Sequence, residues 1–549
     1  MKGHSIETSK TAAGIPVAVE HIPGCRSYGC MIGVATGSRD ESKDILGLSH
    51  LLEHTVFRRT SKRDSYQMAV EMEGAGGEMN AFTGREMTAF YAVTIKETAG
   101  VARDMIGEIV ADPLIAEEDT ELEKKIVLQE LSMIKNEPES YIHDLFSMEL
   151  WRGHPLCQDE GGDEKLVAGM TSRDLRAYYD ERYLIPNLCV YAAGDADLDE
   201  TVEWAESALD GMTGGRRNAR SAPPTPESGY RFVENKADHY QVAMGFPAPG
   251  ASSPDRTAVK MLSAVLGSGT SSRLFQNVRE KKALVYSIYS TVSQHSDASS
   301  MAVYMSCTDE NVVEAMTTTS SVIGGLLKEG LEKGELERAK RLVKGANIRA
   351  MESTESRLYR LGVNHMLSGD TETLEERLGK IDAVTEDDIM RAAELYLRED
   401  RLNTVVFGER NRKLKHFDAG SLSFRSHPSA QEHHPAVLGD LELPDRESGL
   451  LHQRYDIRIV AEPGAISLEG LLHVPLVTWI GLHLRSDDEQ ASLREDPVDL
   501  RYRGLEIRPE EVRLHGGHHI DGAVPVGQGI DRCAFRDQGA LGDQVRVDL

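Results

Sequence analysis

The sequence has no cysteine framework. Its six cysteines (Cys25, Cys30, Cys157, Cys189, Cys307 and Cys533) are scattered, and none pairs with a histidine in zinc-finger fashion. That pattern fits reduced thiols in a cytoplasmic-type compartment rather than a disulfide scaffold. A secretory leader is not expected, because residues 1–20 lack a basic segment followed by an apolar one. No hydrophobic run reaches the roughly 20 residues of a membrane span. The longest, residues 471–482, is short and carries His473 and Pro475. Positive charge is in deficit: 62 Lys and Arg against 89 Asp and Glu give a formal net charge of −27. Such a balance argues against a nucleic-acid partner and is compatible with cationic substrates.

What is present is a globular composition in a chain of 549 residues, too long for one hydrophobic core. A polar, proline-rich stretch from Gly214 to Pro226 has neither helical nor strand period and reads as a linker. The segments on either side of it follow one plan. In the first, a strand at Phe90–Thr94 leads to a helix over about 98–110 and a second helix opening at Thr120. In the second, a strand at Met301–Met305 leads to a helix over about 312–327 and another opening at Gly334. The same order at similar spacing predicts a duplicated α+β unit. The expected division is residues 1–213, a linker 214–228, residues 229–421 and an extension 422–549. In that extension lysine disappears after Lys415, histidines crowd in, and helical period is lost. It reads as irregular, although His515, His518 and His519 could bind metal.

The chemistry concentrates in Leu48-Ser49-His50-Leu51-Leu52-Glu53-His54-Thr55-Val56. At about 100° per residue, His50, Glu53 and His54 share one helical face while Leu48, Leu51, Leu52 and Val56 take the opposite one. Two imidazoles four residues apart can both reach one zinc ion. The bland alternative is two exposed histidines beside a leucine stripe. Glu130 adds weight, because its neighbours three and four positions away are Ile126, Val127, Met133 and Ile134. A carboxylate in such a stripe needs a cationic partner, since burying it alone costs several kcal/mol. That partner is either a metal or an unseen Arg or Lys. The repeat places Lys344 opposite Glu130, and the second segment's helix over 257–266 has no histidine pair, so a metal site is expected in the first half only. Glu123, two turns before Glu130, either steadies a ligand from behind or forms a capping box with Thr120.

These residues resemble the inverted HxxEH zinc motif of the pitrilysin/insulinase peptidases, with a glutamate 76 positions after His54. The likeness is to the branch holding mitochondrial processing peptidase and its bacterial relatives. It extends to Gly37–Glu41, Gly76–Thr83, His154-Pro155-Leu156, Tyr183–Asn187, Ser272–Phe275, Arg279 and Leu284-Val285-Tyr286, so that it covers roughly residues 10–415. Arg59 departs from it, standing where relatives usually have glycine.

The resemblance implies an α+β fold of two homologous α/β-sandwich domains closing as a clamshell on a peptide, with one zinc per chain held by His50, His54 and Glu130. It implies Glu53 as general base, Arg279 and Tyr286 as electrostatic partners of the reacting carbonyl, and Asn80 and Ala81 on an edge strand that pairs with substrate. By themselves Arg279 and its neighbours read as a solvated charge run. The expected partner is an extended or unfolded peptide, with no nucleic acid and no membrane, in a homodimer or self-sufficient monomer. Two rivals remain open at this point: a non-catalytic partner subunit, and a structural zinc protein. Structural zinc sites are closed by four protein ligands, and three are found here.

Overall fold

The computed structural model describes residues 4–236, 239–409, 414, 417, 422 and 424, together with four short strand segments between 500 and 536. Met1–Pro444 forms one compact unit and Asp445–Leu549 another. In the latter, Leu500–Tyr502 pairs antiparallel with Leu505–Ile507, and His519–Ile520 with Phe535–Arg536. The expectations for the extension otherwise lie outside the described residues. Among the described residues no helix is long and apolar enough to cross a membrane.

The first half is built on β1 (Ser5–Lys10), β2 (Pro16–His21), β3 (Ser27–Val34), β4 (Glu78–Thr83), β5 (Thr88–Ile95) and β6 (Leu188–Gly194), in the order β1-β2-β6-β3-β5-β4. The second half uses β7 (Gly229–Glu234), β8 (Tyr240–Pro249), β9 (Ser287–Gln294), β10 (Ala298–Cys307) and β11 (Asn403–Gly408), in the order β7-β11-β8-β10-β9. Remove β1 and the two orders coincide strand for strand. Each sheet has a single parallel pair, β2 with β6 and β7 with β11. The duplication expected from sequence is therefore present as repeated topology, and β4 and β9 are equivalent edge strands. Residues 212–228, between the halves, carry no helix or strand.

Strands β6, β10 and β11 are buried along their whole length, which requires cover on both faces. The cover is reciprocal. Helix Pro138–Leu150 leaves the first half and packs on β8 and β11, where Ile142, Leu145, Phe146 and Leu150 meet Ala243, Ala302, Val405 and Phe407. Helix Thr354–Ser368 of the second half packs on β3 and β6. Small residues make room for both. A Cβ at Gly245 would stand 2.6 Å from Phe146, and one at Gly33 would stand 2.4 Å from the Met366 sulfur. The exchange is fastened by Glu20 of β2, fully buried, which accepts hydrogen bonds from Arg357 at 2.7 Å and Arg360 at 2.6 Å. Arg39 also crosses the boundary, with both nitrogens on the Asp297 carboxylate at 2.8 Å. Each half thus depends on the other for one face of its sheet.

Candidate metal centre

Helix Leu48–Val56 buries Leu48, Leu51, Leu52 and Val56 completely or nearly so. Its N-terminus is held by Glu41, whose carboxylate accepts from the Gly47 N–H at 2.8 Å and the Ser49 N–H at 2.6 Å. Orphan N–H groups of a first turn attract such a carboxylate. With the apolar face fixed, His50 and His54 project toward Glu123 and Glu130 of helix Glu117–Lys135, which packs on this helix.

Glu130 Oε2 lies 3.7 Å from His50 Nε2 and 3.5 Å from His54 Nε2, and one donor atom from each of the three falls within 4.8 Å of the others. A tetrahedral zinc site with bonds of about 2.0–2.1 Å needs donors about 3.4 Å apart. The Glu130 oxygen stands within a few tenths of an ångström of that spacing from both imidazole nitrogens, and two imidazole nitrogens with one carboxylate oxygen are a donor set that zinc takes. His54 Nδ1 donates to Glu123 Oε2 at 3.2 Å, which directs Nε2 to the shared centre. Glu123 is itself 3.5 Å from Arg58 Nε. Glu53, nearly buried, accepts from Thr83 Oγ1 at 2.8 Å. Thr83 shares a face of β4 with Met79 and Ala81, the alternation of a strand, and that face meets the ligand helix.

The electrostatics match a site built for a cation. Burial, and then the neighbouring His54, hold the His50 imidazole down at about 4. Burial works the same way on His54, but hydrogen bonds to Glu123 and Glu130 outweigh it and carry that ring up to about 10. The hydrogen bond from His54 holds Glu130 below the usual carboxylate range, against the effect of its own burial.

Two sequence expectations need correction. The stripe around Glu130 does not face the core: Ile126 is 42 % and Met133 72 % exposed, and the Glu130 side chain is 36 % exposed. The buried side of that helix runs through Val127 and Leu131. Glu123 and Glu130, about 20° apart on the helical wheel, lie on its boundary, where Glu130 reaches the histidines without entering the core. Thr120 does not cap the helix. The helix begins at Glu117, and Thr120 lies inside it, with its hydroxyl on the Ala116 carbonyl at 2.9 Å. The capping-box alternative for Glu123 is thereby removed. Arg59 is accommodated where glycine was expected because its guanidinium reaches Glu118 at 2.8 Å and Asp119 at 3.2 Å, in the first turn of the same helix.

Arg279 and Tyr286 are brought to each other and not to the ligands. The Arg279 guanidinium lies 4.6 Å from the Phe275 ring centre and 6.0 Å from that of Tyr286, and the Tyr286 side chain is 78 % exposed. Among the described residues neither makes a hydrogen bond or ion pair with the ligand group. Asn80 and Ala81 sit in β4, the outermost strand, and the outward Ala81 N–H is engaged by the Asn80 side chain at 2.8 Å. Thr83 and Arg58 received no role from the sequence. Their partners, Glu53 and Glu123, are reached only across packed elements, and no local pattern signals such contacts.

Comparison with known proteins gives the same picture. The family model described as insulinase (peptidase family M16) matches residues 16–161, and the one described as peptidase M16 inactive domain matches 169–343. An uncharacterized zinc protease of Mycobacterium leprae is 32 % identical over 404 residues, covering 72 % of this chain and 90 % of the relative. One of Bacillus subtilis is 30 % identical over 391 residues, covering 70 % and 94 %. In fold, a peptidase M16 inactive domain from Pseudomonas fluorescens superposes with a TM-score of 0.69 at 20 % identity, over 74 % of this chain and 98 % of that one. A protease from Helicobacter pylori gives 0.68 at 20 % identity, over 74 % and 99 %. With its duplicated sheets, its two histidines and glutamate around one centre, and relatives aligned over nine-tenths of their length, the chain belongs to the pitrilysin/insulinase family of zinc peptidases, M16.

Proposed function

We propose that this chain is a zinc metalloendopeptidase that hydrolyses peptide bonds in extended or unfolded peptides. The observation that carries the reading is the convergence of His50, His54 and Glu130 with Glu53 alongside on the same helical face. Zinc content measured together with hydrolysis of a quenched extended peptide tests it. A pure, folded, zinc-loaded protein that cleaves no such peptide would sink it.

His50, His54 and Glu130 would hold the metal and leave a fourth position open. Bound there, zinc supplies a Lewis acid that brings the pKa of a water toward about 7. Glu53 takes the proton from the attacking water and passes it to the leaving amine, with the Thr83 hydroxyl fixing its carboxylate. Glu123 holds the His54 ring in the tautomer that offers Nε2. Strand β4 is an edge strand that would take up the substrate backbone at Asn80 and Ala81, the Asn80 side chain giving up the Ala81 N–H to it, which selects extended chains. Arg279 and Tyr286 would hydrogen-bond the developing oxyanion or a neighbouring carbonyl, a role that rests on the family resemblance. Metal ligands, base, Arg279 and Tyr286 in one chain favour a homodimer or a self-sufficient monomer over a partner-dependent subunit. The free state of the described cysteines supports a reducing, cytoplasmic-type compartment.

Two smaller effects are expected. Glu123→Gln keeps a hydrogen-bond acceptor but removes the charge behind His54, so zinc affinity should fall about 10–100-fold. Competition with a chromophoric chelator reads this, and an unchanged affinity would leave Glu123 a structural residue. The acidic balance of the chain also predicts that peptides with Arg or Lys beside the cleaved bond have the higher kcat/KM. The advantage should shrink as salt screens the charges. Equal rates for matched acidic and basic peptides would end that idea.

A further inference from the structure

The repeated topology gives the second half a place equivalent to the metal centre. The first-half ligands lie between helix Leu48–Val56, helix Glu117–Lys135 and the hairpin end of β4. The matching place lies between helix Arg256–Gly267, helix Glu335–Ala350 and the hairpin end of β9. It is a cavity of about 150 Å³ whose wall holds Arg256, Lys260, Arg377 and Lys380, the amides Gln294 and Asn347, and the carboxylate Glu372, which is room for about five waters or one small anion. An open cleft of about 600 Å³ shares Arg256 and Lys380 with it and gives a way in.

Where the first half converges imidazoles and carboxylates, the second converges cations, and the charges around them do not balance. Glu372 accepts from Arg377 at 3.0 Å and Lys380 at 2.5 Å and lies 3.4 Å from Arg256. Asp370 pairs with Arg256 and lies 3.9 Å from Lys380. Two carboxylates thus serve three of the four cations, and Lys260 makes no hydrogen bond or ion pair among the described residues. Lys260 is exposed to solvent at the cavity wall. Burial holds Arg377 below its ordinary value. A polar cavity with surplus positive charge and amide side chains at its wall is suited to oxygen anions, which Arg forks and a Lys point charge recognise.

We propose that this cavity binds a small oxyanion, a phosphate or a carboxylate group, held by Lys260 together with Arg256, Arg377 and Lys380. The site does not depend on the peptidase reading, because binding can be read without turnover. Thermal unfolding of the full chain should move to higher temperature, saturably, with inorganic phosphate but not with chloride at matched ionic strength, since a ligand of the folded state stabilises it by mass action. Lys260→Met should weaken the response at least tenfold, while Lys260→Arg, which keeps the charge, should retain it. Phosphate acting at the metal centre would be untouched by either change. The source of the anion is read with one peptide offered as free C-terminal acid and as amide. A lower KM for the acid, lost in Lys260→Met, assigns the site to a substrate carboxylate. Equal KM values with an intact phosphate response assign it to a free anion. Absence of both effects in the wild-type protein, or a phosphate response that persists in full in Lys260→Met, would overturn the proposal.

Discussion

Glu53→Gln should abolish peptide hydrolysis while leaving the metal in place. Glutamine is nearly isosteric and can still accept from Thr83, whose hydroxyl stands 2.8 Å from Glu53 Oε2, so the helix and its neighbours have no reason to move. What is lost is a group able to take a proton. The expected fall in kcat is at least ~10³-fold, or about 4 kcal/mol of transition-state stabilisation. Zinc content should stay at one ion per chain and the melting temperature within a degree or two of wild type. The pairing of intact metal with lost turnover separates a base from a ligand. An active Glu53→Gln protein would remove the proposed mechanism.

The second large effect is on the metal itself. His50→Ala or Glu130→Ala leaves two of three donors, and neither variant should retain stoichiometric zinc after dialysis. Activity should vanish with the ion and should not return on adding zinc at micromolar concentration. The fold should persist, because helix Leu48–Val56 is anchored by Leu48, Leu51, Leu52 and Val56 and by Glu41 at its N-terminus, none of which touches the centre. Far-UV circular dichroism after chelation checks this. Loss of helical signal on removing zinc would favour a structural metal, and retention of zinc by Glu130→Ala would take Glu130 out of the ligand set.

Much of this site is local, and what is local was legible. Histidines four residues apart with a glutamate between them, opposite a leucine face, follow from helical period alone. So does the repeat, because strand, helix and helix recur in one order. Around Glu130 the apolar pattern misleads: Ile126 and Met133 are apolar yet exposed, so a run of apolar neighbours does not mark a core face. The carboxylate nonetheless meets the histidines, from the edge of its helix. Thr120 and Glu123 match a capping box in spacing, but helix Glu117–Lys135 starts one turn earlier, so Thr120 lies inside it.

By itself, then, the sequence determined which side chains share a face, where the chain repeats, and that one half has donors the other lacks, because periodicity and composition are properties of neighbours along the chain. Tertiary structure alone decided that Glu123 stands behind His54 and Thr83 beside Glu53. It decided as well that helices Pro138–Leu150 and Thr354–Ser368 cross to the opposite half, and that Arg256, Lys260, Arg377 and Lys380 gather in the second half's counterpart of the metal centre. These juxtapositions join residues tens to hundreds of positions apart. Their distances are set by how sheets and helices pack, which no local pattern encodes.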